Sequence, residues 1–189
     1  MKKGMILMKK FEEKTTHTEK IYDGKVVKLQ VDDVVLPDGE TSKRELIKHP
    51  GAVGVIPITK ENKIVFVEQY RKPLEQSLVE IPAGKLEEGE APKVTAKREL
   101  EEETGYTVRE PMAFVASFYT SPGFADEMMH LYLAKNLELV GYPATGDDDE
   151  FIELVELTLE EAKQYVKNKR IHDAKTNYAV LYLETLERM

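Results

Sequence analysis

The stretch from Gly84 to Tyr106 reads GKLEEGEAPKVTAKRELEEETGY, and it decides what the rest of the chain is built to hold. Lys93 to Thr104 consists of good helix formers, Pro92 stands where a first helical residue is favoured, and Gly105 stands where a left-handed stop is favoured. The spacing predicts a helix opened by Pro92 and closed at Gly105. Residues three and four apart on a helix share a face. At 100° per residue, Glu99 and Glu103 lie about 40° apart, and Glu102 falls about 60° to the other side of Glu99. Three carboxylates therefore crowd an arc of about 100°. Like charges at this spacing destabilise an isolated helix by roughly 0.2–0.5 kcal/mol per pair. Arg98 can serve one carboxylate but not neutralise three, so the arrangement calls for a further cation.

Clustered glutamates without histidine or cysteine beside them suit a hard divalent cation, Mg²⁺ or Mn²⁺, rather than zinc. A metal held there can polarise a phosphoryl oxygen and activate a water at neutral pH. By itself an acidic run is an ordinary solvated helix face. The spacing around it argues otherwise: Gly84, five residues, Glu90, seven residues, Arg98-Glu99-Leu100, one residue, Glu102-Glu103, one residue, then Gly105-Tyr106.

Upstream, Lys25–Leu36 is dense in β-branched residues and runs into the turn Pro37-Asp38-Gly39, with Thr41–His49 as its hairpin partner. Ala52–Ile58 and Lys63–Tyr70 read as two strong strands, followed by a shorter one at Leu78–Ile81. Residues 1–20 read as a loose arm or a first edge strand. Downstream, Met112–Tyr119, Met128–Ala134 and Phe151–Leu157 read as strands, and residues 141–149 as a loop. Thr158 is placed to cap a helix running to about Asn168, and a last helix spans about Asp173–Arg188. Strands, one central helix, more strands and two final helices imply an α+β sandwich rather than a regular βαβ alternation. The expected division is a strand-rich arm or sub-domain over residues 1–45 and a catalytic domain over 46–189.

The 189 residues are 41% apolar and 33% charged, as befits a globular domain with a real core. A formal net charge of −8 argues against a general nucleic-acid or anionic-membrane binder. A phosphate ester remains accessible if bound metal supplies the positive charge. There is no cysteine, which excludes disulfides and thiolate zinc sites and fits a reducing cytoplasm. The opening MKKGMILMKK has a charged start, but its apolar part is too short for a signal peptide, and no later run reaches transmembrane length.

The glycine, arginine and glutamate spacing matches the Nudix box at every fixed position. A chance match is on the order of 10⁻⁸ per start point at typical residue frequencies, which the chain's acidic bias does not offset. The sequence resembles the Nudix hydrolases from about Lys20 to the end, and among them the ADP-ribose pyrophosphatase branch. Three features carry the narrower resemblance: Ser121-Pro122-Gly123-Phe124-Ala125-Asp126-Glu127 after the box, Val67-Glu68-Gln69-Tyr70-Arg71 before it, and the acidic segment Asp147–Glu153.

The resemblance implies a Nudix-type α/β/α sandwich with a mixed central sheet and a small N-terminal β sub-domain. It also implies a Mg²⁺-dependent cleavage of ADP-ribose to AMP and ribose 5-phosphate by an activated water. Glu99, Glu103 and the Ala83 carbonyl would ligate metal, with Glu102 beside them and Arg98 orienting the carboxylates by pairing with Glu90. Arg71 would bind the diphosphate. Glu150 would orient or deprotonate the water and is also a candidate ligand, with Asp148 as the alternative. Leu86, Ser121 and Glu127 are further substrate contacts. The N-terminal strands would form a homodimer and bring Ile21, Tyr22 and Lys25 toward the partner's adenine side.

Three readings remain open beside this one. The first is a Nudix hydrolase of another nucleoside diphosphate derivative, such as a GDP-sugar, or of an oxidised nucleotide, because the box reads diphosphate alone. The second is a non-catalytic nucleotide-sensing module, against which stands the presence of all three helix glutamates. The third, an interaction role for the N-terminal arm, is compatible with catalysis.

Overall fold

A computed structural model describes residues 10–141 and 151–188, so Asp148 and Glu150 lie outside the described residues. The chain divides into two compact units, one formed by the chain up to His49 with Ser121–Glu127, the other by Pro50–Thr120 and the chain from Met128 onward.

The first unit is a three-stranded antiparallel sheet, β1 (Lys14–Asp23), β2 (Lys28–Val35) and β3 (Thr41–Lys48), in the order β1-β2-β3. Of the residues expected as an arm or an edge strand, those from Lys14 onward lie in the edge strand β1, which is exposed along its whole length. Gly39 turns the β2–β3 hairpin at φ 91°, and its N–H donates to the Leu36 carbonyl at 2.9 Å. Asp32 and Val34 are buried on one face of β2; Asp32 accepts from Gln30 Nε2 at 2.9 Å and Thr15 Oγ1 at 3.2 Å. The Ser121–Glu127 segment lies against β3: Ile47 N–H donates to the Phe124 carbonyl, and the Asp126 carboxylate accepts from Lys48 Nζ at 2.8 Å and His49 N–H at 2.9 Å.

The second unit contains β4 (Ala52–Ile58), β5 (Ile64–Arg71), a 3₁₀ turn at Lys72–Leu74, β6 (Gln76–Glu80), β7 (Ala83–Lys85), α1 (Pro92–Thr104) and β8 (Tyr106–Thr107). It continues with β9 (Ala113–Tyr119), β10 (Met128–Lys135), β11 (Glu138–Leu139), β12 (Ile152–Leu157), α2 (Leu159–Lys167) and α3 (Ala174–Glu187). The main sheet runs β12-β5-β4-β10-β9, with β6 also paired to β5 and β7 to β4. The β4–β10 pair is parallel and the others are antiparallel, so the sheet is mixed as expected. β8 and β11 form a separate two-stranded ribbon.

Period-2 alternation sends each strand's side chains to two cores. Ala52, Ile56, Ile64, Phe66, Met129, Leu131 and Leu133 face one way and bury Ala162 of α2 and Ala179 and Val180 of α3. Val53, Val55, Val65, Tyr132 and Ala134 face the other way and bury Ala96 and Leu100 of α1. That sandwich fixes α1 against one sheet face and the α2–α3 pair against the other. The helix signals act as read: Gly105 ends α1 at φ 69° with its N–H on the Glu101 carbonyl, and Thr158 caps α2 in a reciprocal capping box with Glu161. No helix among the described residues is long and apolar enough to cross a membrane.

The strand β7 escapes the sequence reading because it is three residues long, follows Pro82 and contains a glycine. Its pairing is with the beginning of β4, Gly54 to Ala83, Val53 to Gly84 and Ala52 to Lys85. This short strand carries the docking surface for the glutamate helix.

Candidate active site

Leaving β6, the chain passes through buried Ile81-Pro82, where the Pro82 carbonyl accepts from Val55 N–H at 2.9 Å. β7 then presents Ala83 and Gly84 to α1. The Glu103 carboxylate, 8% exposed, accepts the Ala83 N–H at 3.0 Å. One turn earlier, the Glu99 carboxylate lies over Gly84, and a Cβ built there would fall inside it. Two glutamates one turn apart are thus docked on two successive residues of one strand.

Arg98 organises the remaining carboxylates. Its Nη1 donates to Glu99 Oε1 and Glu102 Oε2, both at 2.8 Å, and its Nη2 to Glu90 Oε2 at 3.2 Å. Glu90 also accepts from Thr95 Oγ1 at 2.8 Å. Burial alone would lower the arginine's pKa, but the bond to Glu90 and the charges of Glu99 and Glu102 outweigh it and hold the guanidinium well above its ordinary value. The Arg98 and Thr95 hydrogen bonds in turn hold Glu90 below the usual carboxylate range. One planar guanidinium bridging three carboxylates is geometry that a lysine's point charge cannot reproduce.

Arg71, at the end of β5, grips Glu80 of β6 with a two-pronged fork, Nε to Oε1 at 2.7 Å and Nη2 to Oε2 at 2.8 Å. The guanidinium side is 38% exposed and the carboxylate 2%. The Glu80 bond raises the arginine's pKa and, with the charges of Glu80, Glu103 and Asp173, outweighs the lowering by burial, so the value stands above the ordinary one.

The remaining candidates fall in different places. Leu86 is half-buried beside the α1-side core, its N–H on the Gly51 carbonyl at 3.1 Å. Ser121, Glu127, Ile21 and Lys25 belong to the first unit. The Ser121 carbonyl closes the turn by accepting from Phe124 and Ala125 N–H, and Glu127 Oε1 lies 3.8 Å from His49 Nδ1. Ile21 and Tyr22 are exposed on β1, and Lys25 lies in the loop that follows it.

The sequence reading passed over Glu80, Asp173 and Lys175. A signal was available at Glu80, a lone carboxylate in the run Leu78-Val79-Glu80-Ile81, because glutamate is almost never fully buried unless paired.

The donor set around α1, three carboxylates and the Ala83 carbonyl, is entirely oxygen and fits a hard divalent cation. Among the described residues no three acidic or imidazole groups already converge on one point, since Arg98 draws Glu102 toward itself and Ala83 N–H holds Glu103.

Residues 48–178 match the NUDIX domain family. The chain belongs to the Nudix family. Its Nudix domain takes in β4 through the first residues of α3 and includes the glutamate helix and Arg71. Over 96% of its length the chain is 66% identical to the methanol dehydrogenase activator of Bacillus methanolicus, covering 97% of that protein. It is 54% identical to the ADP-ribose pyrophosphatase of Bacillus subtilis, covering 96% of this chain and 98% of that one. In fold the Nudix chain is similar to the crystal structure of an ADP compounds hydrolase, with a TM-score of 0.81 at 18% identity and coverage of 94% and 95%.

Proposed function

We propose that this Nudix protein hydrolyses the diphosphate bond of ADP-ribose, releasing AMP and ribose 5-phosphate, with Mg²⁺ as cofactor and Mn²⁺ as the alternative. The chain is a hydrolase of pyrophosphate bonds. The observation that carries the reading is the docking of Glu99 and Glu103 on Gly84 and Ala83, with Arg98 holding Glu90, Glu99 and Glu102 on the adjoining arc. The substrate follows the 54% identity to the ADP-ribose pyrophosphatase of Bacillus subtilis.

Glu99, Glu103 and the Ala83 carbonyl would hold the cation, with Glu102 beside them. When bound, such a cation supplies charge neutralisation for the phosphoryl oxygens. Arg71 would bind the diphosphate and oppose the negative charge that develops on it. A water oxygen forms the new bond to phosphorus as the bridging P–O bond breaks. Glu150, or Asp148 in its place, would orient that water and take its proton. Leu86, Ser121 and Glu127 are assigned to the substrate's flanks. The division at residues 45 and 46 and the cytoplasmic location belong to the same reading. A homodimer does too, with Ile21 and Lys25 of one copy serving the adenine side of the other.

The test is turnover of ADP-ribose, ADP-glucose, GDP-mannose and an oxidised nucleoside triphosphate with Mg²⁺, following products by chromatography. ADP-ribose should be cleaved fastest, to AMP and ribose 5-phosphate. Faster turnover of GDP-mannose would overturn the substrate, and nucleotide binding without any hydrolysis would favour the sensing alternative.

A further inference from the structure

Behind Arg71 stands a second cation that the proposed reaction does not use. Lys175, in the first turn of α3 and 11% exposed, directs Nζ to Glu80 Oε2 and, at 3.0 Å, to Asp173 Oδ1. Asp173 is the N-cap of α3, with Oδ1 accepting from Thr176 N–H at 3.1 Å. The buried Thr176 hydroxyl accepts the Ile81 N–H at 3.0 Å, so α3 is fastened to two successive residues, Glu80 and Ile81.

We propose that Lys175 and Glu80 are positioning residues that aim Arg71 at the diphosphate, so that the start of α3 sets the geometry of the substrate-binding arginine. This rests on the reading of Arg71 as the diphosphate ligand. The physical reasons are in the geometry. A bidentate fork fixes the guanidinium plane as well as its distance. That plane is only as fixed as the carboxylate beneath it, and Glu80 is held from behind by Lys175. The fork uses Nε and Nη2 and leaves Nη1 outside it, on a side chain more than a third exposed. Lys175 also adds a second positive charge beside Glu80, so the carboxylate does not face Arg71 alone. Asp173 keeps the ammonium from swinging away.

A double-mutant cycle on the full chain with ADP-ribose and Mg²⁺ tests this, with thermal melts on every variant. Arg71→Ala should lower kcat/KM about 30-fold. Lys175→Met should raise KM about tenfold and leave kcat within about twofold. Lys175→Gln, which keeps one donor for Glu80, should fall between Lys175→Met and wild type, and it provides the readout if Lys175→Met does not fold. In the Arg71→Ala background the Lys175 substitutions should have no further effect, because the residue they act through is gone. Losses that multiply in the double variants, or an unchanged KM in a folded Lys175 variant, would overturn the positioning role while leaving Arg71 as the ligand. Unchanged kcat/KM in Arg71→Ala would remove that assignment itself and this inference with it.

Discussion

The Glu99 carboxylate lies over the α-carbon of Gly84, in the space a side chain at position 84 would need. Gly84 is not among the glycines of positive φ, which are Gly39, Gly51, Gly89 and Gly105. The glutamate, not backbone conformation, therefore requires the glycine. Of the two explanations available for a glycine, unusual φ or close approach, close approach applies here.

Gly84→Ala should accordingly displace Glu99 while β7 keeps its pairing. The atoms displaced are the tip of a flexible side chain, so the cost in stability should be small, under about 1 kcal/mol, and the chain stays folded. Activity should fall by about 100-fold, because a carboxylate moved by an ångström or more no longer holds its geometry. Circular dichroism melts and ADP-ribose kinetics check both parts. Full activity in a folded Gly84→Ala variant would contradict the role given to Glu99.

Glu103→Gln separates chemistry from folding. A glutamine has the same shape and keeps an oxygen to accept the Ala83 N–H, now at 3.0 Å. The melting temperature should stay within a few degrees of wild type. Removing the charge should reduce kcat by at least about 100-fold if Glu103 is a metal ligand. Isothermal titration with Mn²⁺ should show weakened binding in parallel, and wild-type turnover would sink the assignment.

The glutamate helix was legible in the sequence because its signals are local: helix formers, Pro92 at the start, Gly105 at the stop and a 3.6-residue period. The strands β4, β5 and β10 were legible for the same reason, as local apolar runs such as Ala52–Ile58; that they are buried on both faces was not read from them. Arg98 was expected to orient the carboxylates by pairing with Glu90. Its bonds to Glu99 and Glu102, one and four positions on, are local to the helix, whereas the bond to Glu90 depends on where the loop before α1 places that residue. What was hidden depends on contacts between distant residues. Glu80 and Lys175 are 95 positions apart and meet only because α3 packs on the end of β6. β7 has no periodicity at three residues, yet it is the strand on which Glu99 and Glu103, the two proposed ligands, rest.

Arg98→Lys tests whether the bridging plane matters beyond its charge. A lysine keeps the positive charge but cannot span Glu90, Glu99 and Glu102 together. Losing charge-assisted bonds on a side chain 29% exposed should cost about 1–2 kcal/mol. Activity should drop more than stability suggests, by about tenfold or more, with partial recovery at raised Mg²⁺ as the cation takes over from the arginine. Denaturant titrations and Mg²⁺-dependent kinetics read the two effects. Equal kcat/KM at every Mg²⁺ concentration would show that Arg98 supplies charge alone.

Glu80 should leave a signature in the acid limb of stability. Burial raises its pKa, but the bond from Arg71 and the charge and bond of Lys175 outweigh that, so the folded value lies below the ordinary 4.5. Between those two values the unfolded chain binds more protons at this site than the folded one. Glu80 therefore contributes its full stabilisation above pH 4.5, and the contribution is lost as pH falls through the lowered folded value. Glu80→Gln leaves Arg71 and Lys175 without their shared carboxylate and should cost about 3–5 kcal/mol near neutral pH. The gap to wild type should then narrow on acidification below 4.5, because wild type loses a charge the variant never had. Melting temperatures of both proteins from pH 7 to pH 3 measure the gap directly. A gap that stays constant across that range would mean that Glu80 is not held ionised by Arg71 and Lys175.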